Sequence, residues 1–191
     1  MNNYIFHTPV YLKYNAFQQQ DLNYLNESYL TLKNQNLLRN FNGTSLLSYD
    51  TKIESILDYF NLKEIKEKIR LYSNDYLINC GTSFSKIIIR NNWLIGYTRN
   101  EYQGEHNHGY NNNFISGIIY AKVPVDASSI QFISPNPYLD HICIDKQSAT
   151  YDPVEGMLII FPSFLKHKVL PNLNIPDGSL RLALSFNAEV F

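Results

Sequence analysis

The residues best suited to chemistry in this chain are three histidines and one arginine in its C-terminal half. His106 and His108 are separated by one residue, His167 follows 59 positions after His108, and Arg181 comes 14 positions later. Short apolar runs typical of β-strands surround them. A close His-x-His pair with a distant third histidine is one way in which a β-scaffold gathers imidazoles around a metal ion. An arginine beyond the last ligand could hold an anionic co-substrate.

The spacing of His106 and His108 makes both of them candidate ligands. In a β-strand, residues i and i+2 point to the same face, so the two imidazoles are predicted to face one ion. A third ligand from another strand would leave coordination positions open, and an iron site needs these for a co-substrate and dioxygen. Zinc also accepts three imidazoles. Polar histidines can also fall two positions apart by chance in a loop rich in Gly and Asn, so the pair alone leaves both interpretations open.

His167 is predicted to lie at the beginning of a strand. The apolar run 157–161 ends at Pro162, which cannot donate to a sheet, and a short loop leads from there to His167. Such a position is at the end of a sheet, where ligands from neighbouring strands can meet. The alternative is a surface histidine, because His167 stands between two lysines.

Arg181 opens a run in which polar and apolar residues alternate. Its polar face carries Arg181, Ala183, Ser185 and Asn187, and its apolar face carries Leu182, Leu184 and Phe186. In the run 114–123, Tyr120 and Ser116 share a face, and both are predicted to meet Arg181 inside a barrel, with Ser185 beside it. An arginine that binds a carboxylate through two hydrogen bonds, helped by a phenol, is a strong and specific anion site. A solvent-facing strand would show the same alternation.

The elements that must position these residues are predicted to be mostly strands. The β-type runs are 86–90, 93–97, 114–123, 129–133, 157–161, 166–170 and 180–190, separated by clusters of Gly, Pro and Asn. This pattern is typical of a sandwich or jelly roll. Before these runs, residues 51–76 show helical spacing, as one helix or as two broken near Asn61. Residues around Leu22 and Leu25 form a weaker helical pattern, and the extended segment 4–12 is expected at a sheet edge because of Pro9.

Composition narrows the class of protein. The chain has 191 residues and a formal net charge of −1, which argues against nucleic-acid binding. No signal peptide or stretch of about 20 apolar residues is evident, so we expect no membrane partner. Cys80 and Cys143 are predicted to be buried thiols in a reducing compartment, which indicates a soluble, cytoplasmic protein. His7 and His141 lack a partner at ligand spacing and are interpreted as structural.

Residues 93–190 resemble the 2-oxoglutarate and Fe(II)-dependent oxygenases, and more narrowly the phage and bacterial members related to prolyl hydroxylases. The matching segments are Trp93, His106-Asn107-His108, 116–120, 153–163, 165–172 and 181–187. Their order and spacing make the match fairly specific. The resemblance implies a double-stranded β-helix (jelly roll) core over about 81–191. We therefore expect one domain, 1–191, mainly β, with an extended segment and helices of about 1–80 packed on that core.

The resemblance also implies a role for each candidate residue. His106 and His167 become metal ligands, and His108 stands where the wider superfamily usually has Asp or Glu. Arg181, assisted by Tyr120, would pair with the C5 carboxylate of 2-oxoglutarate, with Ser185 on the same face. The implied cofactors are Fe(II), 2-oxoglutarate as co-substrate and O2, and no catalytic residue is expected beyond the ligands. If His108 does not ligate, a two-histidine site completed by water or an open position remains.

The implied activity is that of a dioxygenase that hydroxylates a peptidyl side chain or a small molecule and releases succinate and CO2. One alternative is a catalytically silent β-helix protein that serves as a binding or structural module. Another is a nucleic-acid demethylase, which the near-neutral charge disfavours. Substrate selectivity is expected in the loops 97–105, 109–113 and 135–151. The sequence does not indicate an oligomeric state.

Overall fold

The computed structural model describes residues 8–40, 46–48, 53–109, 112–136 and 147–191. The helices are α1 (Gln19–Asn34), α2 (Ile56–Tyr59) and α3 (Lys63–Asn79). The strands are β1 (Tyr11–Lys13), β2 (Arg39–Asn40), β3 (Leu46–Leu47), β4 (Ile87–Tyr97), β5 (Gln103–His106), β6 (Ile115–Lys122), β7 (Ile130–Ile133), β8 (Ser148–Tyr151), β9 (Leu158–Pro162), β10 (His167–Val169) and β11 (Arg181–Val190). His7, His141 and Cys143 lie outside the described residues.

The strands form two sheets whose neighbours run antiparallel. The larger sheet has seven strands in the order β1-β9-β6-β11-β4-β3-β2, and the smaller has four in the order β5-β10-β7-β8. From β4 to β7 and again from β8 to β11, successive strands alternate between the two sheets, as in a jelly roll or double-stranded β-helix. The predicted mainly β class with N-terminal helices is therefore confirmed. The strand that contains Tyr11 lies at an edge of the larger sheet, as Pro9 predicted.

The three helices cover one face of the larger sheet. In α1, Leu22, Leu25, Tyr29 and Leu32 recur at helical spacing and are buried. They pack in one cluster with Leu182, Leu184 and Phe186 of β11. Asn61 adopts a left-handed conformation (φ 55°) between α2 and α3, so the two-helix alternative is correct. Among the described helices, none combines the length and apolar character needed to cross a membrane.

β4 joins two runs that the sequence analysis separated, and a β-bulge explains why they look separate. Its pairing with β11 shifts between Asn92 and Ile89, so β4 carries an extra residue there. The extra residue reverses the alternation of faces. Ile89 and Leu94 therefore both face the helices, while Trp93 belongs to the cluster between the sheets.

Four described strands, β2, β3, β5 and β8, were not predicted. β5 reads Gln-Gly-Glu-His and β8 reads Ser-Ala-Thr-Tyr, so neither has an apolar run to reveal it. Pairing with neighbours holds them in the small sheet: β5 pairs with β10 and β8 with β7. Cys80 was expected to be buried, but it lies exposed just after the end of α3.

Candidate metal centre

The three candidate histidines meet in the space between the two sheets. His106 is the last residue of β5 and His167 the first of β10, and the register of these neighbouring strands places the two opposite each other. Their ring centroids are 4.3 Å apart. The prediction that His167 begins a strand is thus confirmed, and strand pairing brings it beside His106 across 61 positions of sequence (167 − 106 = 61).

His108 arrives by a different route from the predicted one. The chain leaves β5 after His106, so the expectation that both histidines share a strand is wrong. Hydrogen bonds fix the loop instead: the backbone N–H of His108 donates to the Ser163 carbonyl at 2.8 Å, and Asn113 Nδ2 donates to the His108 carbonyl at 3.1 Å. The His108 ring lies 5.0 Å from that of His106 and 5.2 Å from that of His167, centroid to centroid.

The geometry of the three imidazoles suits a metal ion. The nitrogens that they can offer all lie within 4.8 Å of one another. An ion sits about 2.1 Å from an imidazole nitrogen, so small ring rotations would bring all three onto one ion. His106 Nδ1 lies 2.8 Å from the Gly104 carbonyl, and His167 Nδ1 lies 3.0 Å from the Leu165 carbonyl. A carbonyl oxygen can only accept a hydrogen bond, so Nδ1 of each ring carries the proton. Nε2 of both rings is then the nitrogen available to a metal ion.

The environment keeps these histidines neutral, as metal ligation requires. His167 is only 3% exposed, so its interpretation as a surface residue is wrong. Burial is the main reason that the pKa of His167 falls to about 3, and repulsion from His106 adds to it. Burial, followed by repulsion from His106, also lowers the pKa of His108 to about 4. Burial lowers the pKa of His106 as well.

Arg181 lies in the same space and lacks an anionic partner. It is 1% exposed, forms no ion pair with the described residues, and its Nε has no hydrogen-bond partner among them. A solvent-facing β11 is therefore excluded. The guanidinium lies between two aromatic rings, with Cζ 5.1 Å from the ring centroid of Tyr97 and 5.0 Å from that of Tyr120. A buried cation without a counter-ion is costly, so this position favours a bound anion.

Tyr120 adds a second unpaired polar group. Its side chain is fully buried, and its hydroxyl has no hydrogen-bond partner among the described residues. Burial raises the pKa of this phenol, while the charge of Arg181 lowers it. The hydroxyl therefore stays protonated at neutral pH and can donate a hydrogen bond to an anion held by Arg181. The predicted meeting of Tyr120 with Arg181 is confirmed, and Ser185 lines the cavity on which Arg181 opens.

Tyr97 is the residue that the sequence analysis missed. The sequence analysis placed it both at the end of the strand 93–97 and at the start of the loop 97–105, and gave it no role in the site. It ends β4, is 1% exposed and lies directly opposite Arg181 in the β4–β11 register. Its hydroxyl donates to Gln103 Oε1 at 2.7 Å. The apolar run 93–97 predicted the strand, but its pairing with the beginning of β11 is known only from the register of the two strands.

A single cavity contains both the imidazoles and the guanidinium. Its lining includes Trp93, Tyr97, Gln103, His106, His108, Ser116, Phe161, His167, Arg181, Ala183 and Ser185. No Asp or Glu lines it among the described residues. Three neutral nitrogen ligands beside a buried, unpaired cation fit Fe(II) together with a dicarboxylate. The chain departs from the usual set of two histidines and one carboxylate only at His108.

Comparison with protein families gives the same class. Residues 91–187, half of the chain, match the 2OG-Fe(II) oxygenase family model. The chain belongs to this family of oxidoreductases, whose cofactors are Fe(II) and 2-oxoglutarate and whose oxidant is O2. No curated protein sequence matches the chain.

Solved structures confirm the fold. A Pseudomonas putida prolyl-4-hydroxylase is 15% identical, covers 94% of this chain and 92% of its own, and gives a TM-score of 0.64. The viral collagen prolyl hydroxylase of Paramecium Bursaria Chlorella virus-1, in its 2-oxoglutarate complex, is 14% identical, with coverage of 94% of each chain and a TM-score of 0.61. HygX of Streptomyces hygroscopicus, with nickel and 2-oxoglutarate bound, is 11% identical, covers 95% of this chain and 83% of its own, and gives 0.59. At these identities the likeness establishes the jelly-roll core.

Proposed function

We propose that this protein is a hydroxylase in which His106, His108 and His167 hold Fe(II) and Arg181 anchors 2-oxoglutarate. The observation that carries the proposal is the buried Arg181 guanidinium, which has no anion among the described residues and opens on the cavity of the three histidines. One end of a dicarboxylate would neutralise that charge, and its other end would bind the metal ion held by the histidines.

Each residue has a defined task in this arrangement. Arg181 donates hydrogen bonds to the carboxylate of 2-oxoglutarate that lies away from the metal, and the Tyr120 hydroxyl donates a hydrogen bond to the same group. Ser185 offers a further hydroxyl from the cavity wall. The rings of Tyr97 and Tyr120 hold the guanidinium and exclude water from it. Bound Fe(II) and 2-oxoglutarate together supply the oxidation by O2, which releases succinate and CO2, and the protein contributes orientation and a dry site.

The substrate proposed is a peptidyl side chain or a small molecule. A prolyl hydroxylase from Trichoplax adhaerens, crystallised with a hypoxia inducible factor peptide fragment, favours the peptidyl class. Complexes of SnoN with nogalamycin RO and of HygX with hygromycin B favour small molecules. All three share the fold at 10 to 13% identity, so both classes enter the test.

The test measures conversion of 2-oxoglutarate to succinate under Fe(II) and O2, first alone and then with peptide and small-molecule panels. We expect slow uncoupled turnover that one panel stimulates. Arg181→Ala should abolish it, because the co-substrate loses its anchor. Arg70→Ala is the matched control, since Arg70 lies exposed on α3 and its ion pair among the described residues is with Glu67. A folded wild-type protein with no turnover and no affinity for 2-oxoglutarate would instead identify a silent binding module.

A further inference from the structure

Three buried polar side chains lie beside the three histidines and are not among the proposed metal ligands. Ser116 on β6, Ser163 just after β9 and Asn187 on β11 are at most 3% exposed. Ser116 Oγ lies 2.7 Å from Asn187 Oδ1 and 2.9 Å from Ser163 Oγ. Asn187 Oδ1 can only accept, so Ser116 donates its one hydrogen to it. Ser163 must therefore donate to Ser116, and the direction of the chain of hydrogen bonds is fixed.

The residue at the end of this chain, Ser163, belongs to a turn that touches two of the three histidines. The Ser163 carbonyl accepts the backbone N–H of His108 at 2.8 Å. Two residues later, the Leu165 carbonyl lies 3.0 Å from Nδ1 of His167. The Ser163 N–H donates to the Phe114 carbonyl at 3.1 Å, which fixes the turn to the strand that begins next to Phe114.

The position of His108 gives this turn its importance. His106 is held by β5 and His167 by β10, but His108 lies outside any strand and needs another support. Apart from Asn113, the Ser163 carbonyl supplies the backbone hydrogen bond that fixes it. A turn that moved by a fraction of an ångström would shift His108 and the hydrogen bond to His167 together.

We propose that Ser116 and Asn187 are positioning residues for the metal centre, and that they act through Ser163 on His108 and His167. This inference rests on the proposed function. The hydrogen-bonded chain ties the metal ligands to β6 and β11, the strands that carry Tyr120 and Arg181. Partners behind the ligands of a metal site typically contribute about 10- to 100-fold to metal affinity or activity.

Ser116→Ala tests the inference because it removes both hydrogen bonds at once. The matched control is Ser73→Ala on α3, a serine that is also fully buried and whose hydroxyl has no partner among the described residues. Metal affinity is measured with Co(II) through the fluorescence of Trp93, the chain's single tryptophan, whose ring lies 5.6 Å from that of His108. The visible Co(II) spectrum separately reports the ligand set.

We expect Ser116→Ala to bind Co(II) about 10-fold more weakly than wild type, with a spectrum shifted towards that of His108→Ala. Ser73→Ala should keep both the affinity and the spectrum. If Ser116→Ala does not fold, Ser163→Ala breaks only the bond between the two hydroxyls and should show the same shift to a smaller degree. Wild-type binding with identical spectra in the serine variants and the control would overturn this inference alone. A folded wild-type protein that binds no Co(II) would overturn the proposed function and this inference with it.

Discussion

The two faces of the seven-stranded sheet have different roles: one packs against the helices and the other lines the cavity of the candidate site. The face towards the helices is apolar, with Leu182, Leu184 and Phe186 of β11 fully buried against α1 and α3. The face towards the small sheet carries Arg181, Ser185 and Asn187 from the same strand. Both faces are buried, so the difference is not one of exposure. On the helix side the contacts of β6 and β11 are between apolar side chains, whereas the other face keeps Arg181 Nε and the Tyr120 hydroxyl without partners among the described residues.

That difference separates the sources of stability and of function. Packed apolar side chains contribute most of the free energy of folding, and unpaired buried polar groups reduce it. Where such groups lie beside a cavity, a ligand can supply the missing partner. Substitutions on the helix side should therefore reduce stability and leave ligand binding intact. Substitutions on the side of the histidines should weaken ligand binding and change stability less.

The largest effect is expected for His167→Ala. This variant removes a buried imidazole, proposed as a metal ligand, that lies opposite His106 in the pairing of β5 and β10. We expect binding of Fe(II) or Co(II) to be lost, with a smaller loss of stability than in a helix-side variant. Calorimetric titration and urea unfolding of the metal-free protein would measure the two quantities. Metal binding at wild-type affinity would place the metal elsewhere.

On the opposite face, Leu184→Ala should cost about 2–5 kcal/mol in the free energy of unfolding, because Leu184 is fully buried and its truncation leaves a cavity. Affinity for the metal and for 2-oxoglutarate should stay within experimental error of wild type. Urea unfolding followed by far-UV circular dichroism gives the first value. A loss of metal affinity as large as that of His167→Ala would contradict the separation of the two faces.

Arg181→Met keeps an unbranched apolar stem at this position and removes the charged guanidinium. We expect 2-oxoglutarate to bind about 30-fold more weakly, which corresponds to about 2 kcal/mol for a buried charge pair. The metal-free variant should unfold at the same temperature as wild type or higher, because an uncompensated buried charge is gone. Reduced stability with unchanged 2-oxoglutarate affinity would give Arg181 a structural role instead.

A smaller effect is expected for Asp21→Ala, on the helix side. Asp21 accepts a hydrogen bond from the Gln18 N–H at 2.9 Å and from Lys68 Nζ at 2.6 Å, so it caps α1 and ties it to α3. Loss of such a cap costs about 1 kcal/mol of stability. The variant should retain full turnover of 2-oxoglutarate. Turnover that falls along with stability would show that α1 contributes to the site.

Much of this arrangement could be predicted from local patterns. The alternation in β11 and β6 gave the shared face of Arg181 and Tyr120, and the apolar run before Pro162 placed His167 at the beginning of a strand. Each of these signals is contained within one strand or the turn that follows it. The single domain of 1–191 remains a prediction.

The rest depends on pairing between distant segments. β5 has no apolar residue in Gln103–His106, and only its pairing with β10 makes it a strand. The route of His108 depends on a backbone bond to Ser163, 55 positions away (163 − 108 = 55), and backbone groups leave no trace in residue types. The role of Tyr97 was missed because its partner, Arg181, is known only once the register of β4 and β11 is fixed.

We propose that the three histidines and Arg181 form one site. Anaerobic titration with Fe(II) and 2-oxoglutarate, followed in the visible spectrum, tests it most directly. We predict that a charge-transfer band of the iron–2-oxoglutarate chelate develops for the wild type and for Arg70→Ala. The band should need far more 2-oxoglutarate in Arg181→Met and be absent in His167→Ala. A correctly folded wild-type protein without the band, or a band of equal strength in all four proteins, would show that the three histidines and Arg181 do not form one site for iron and 2-oxoglutarate.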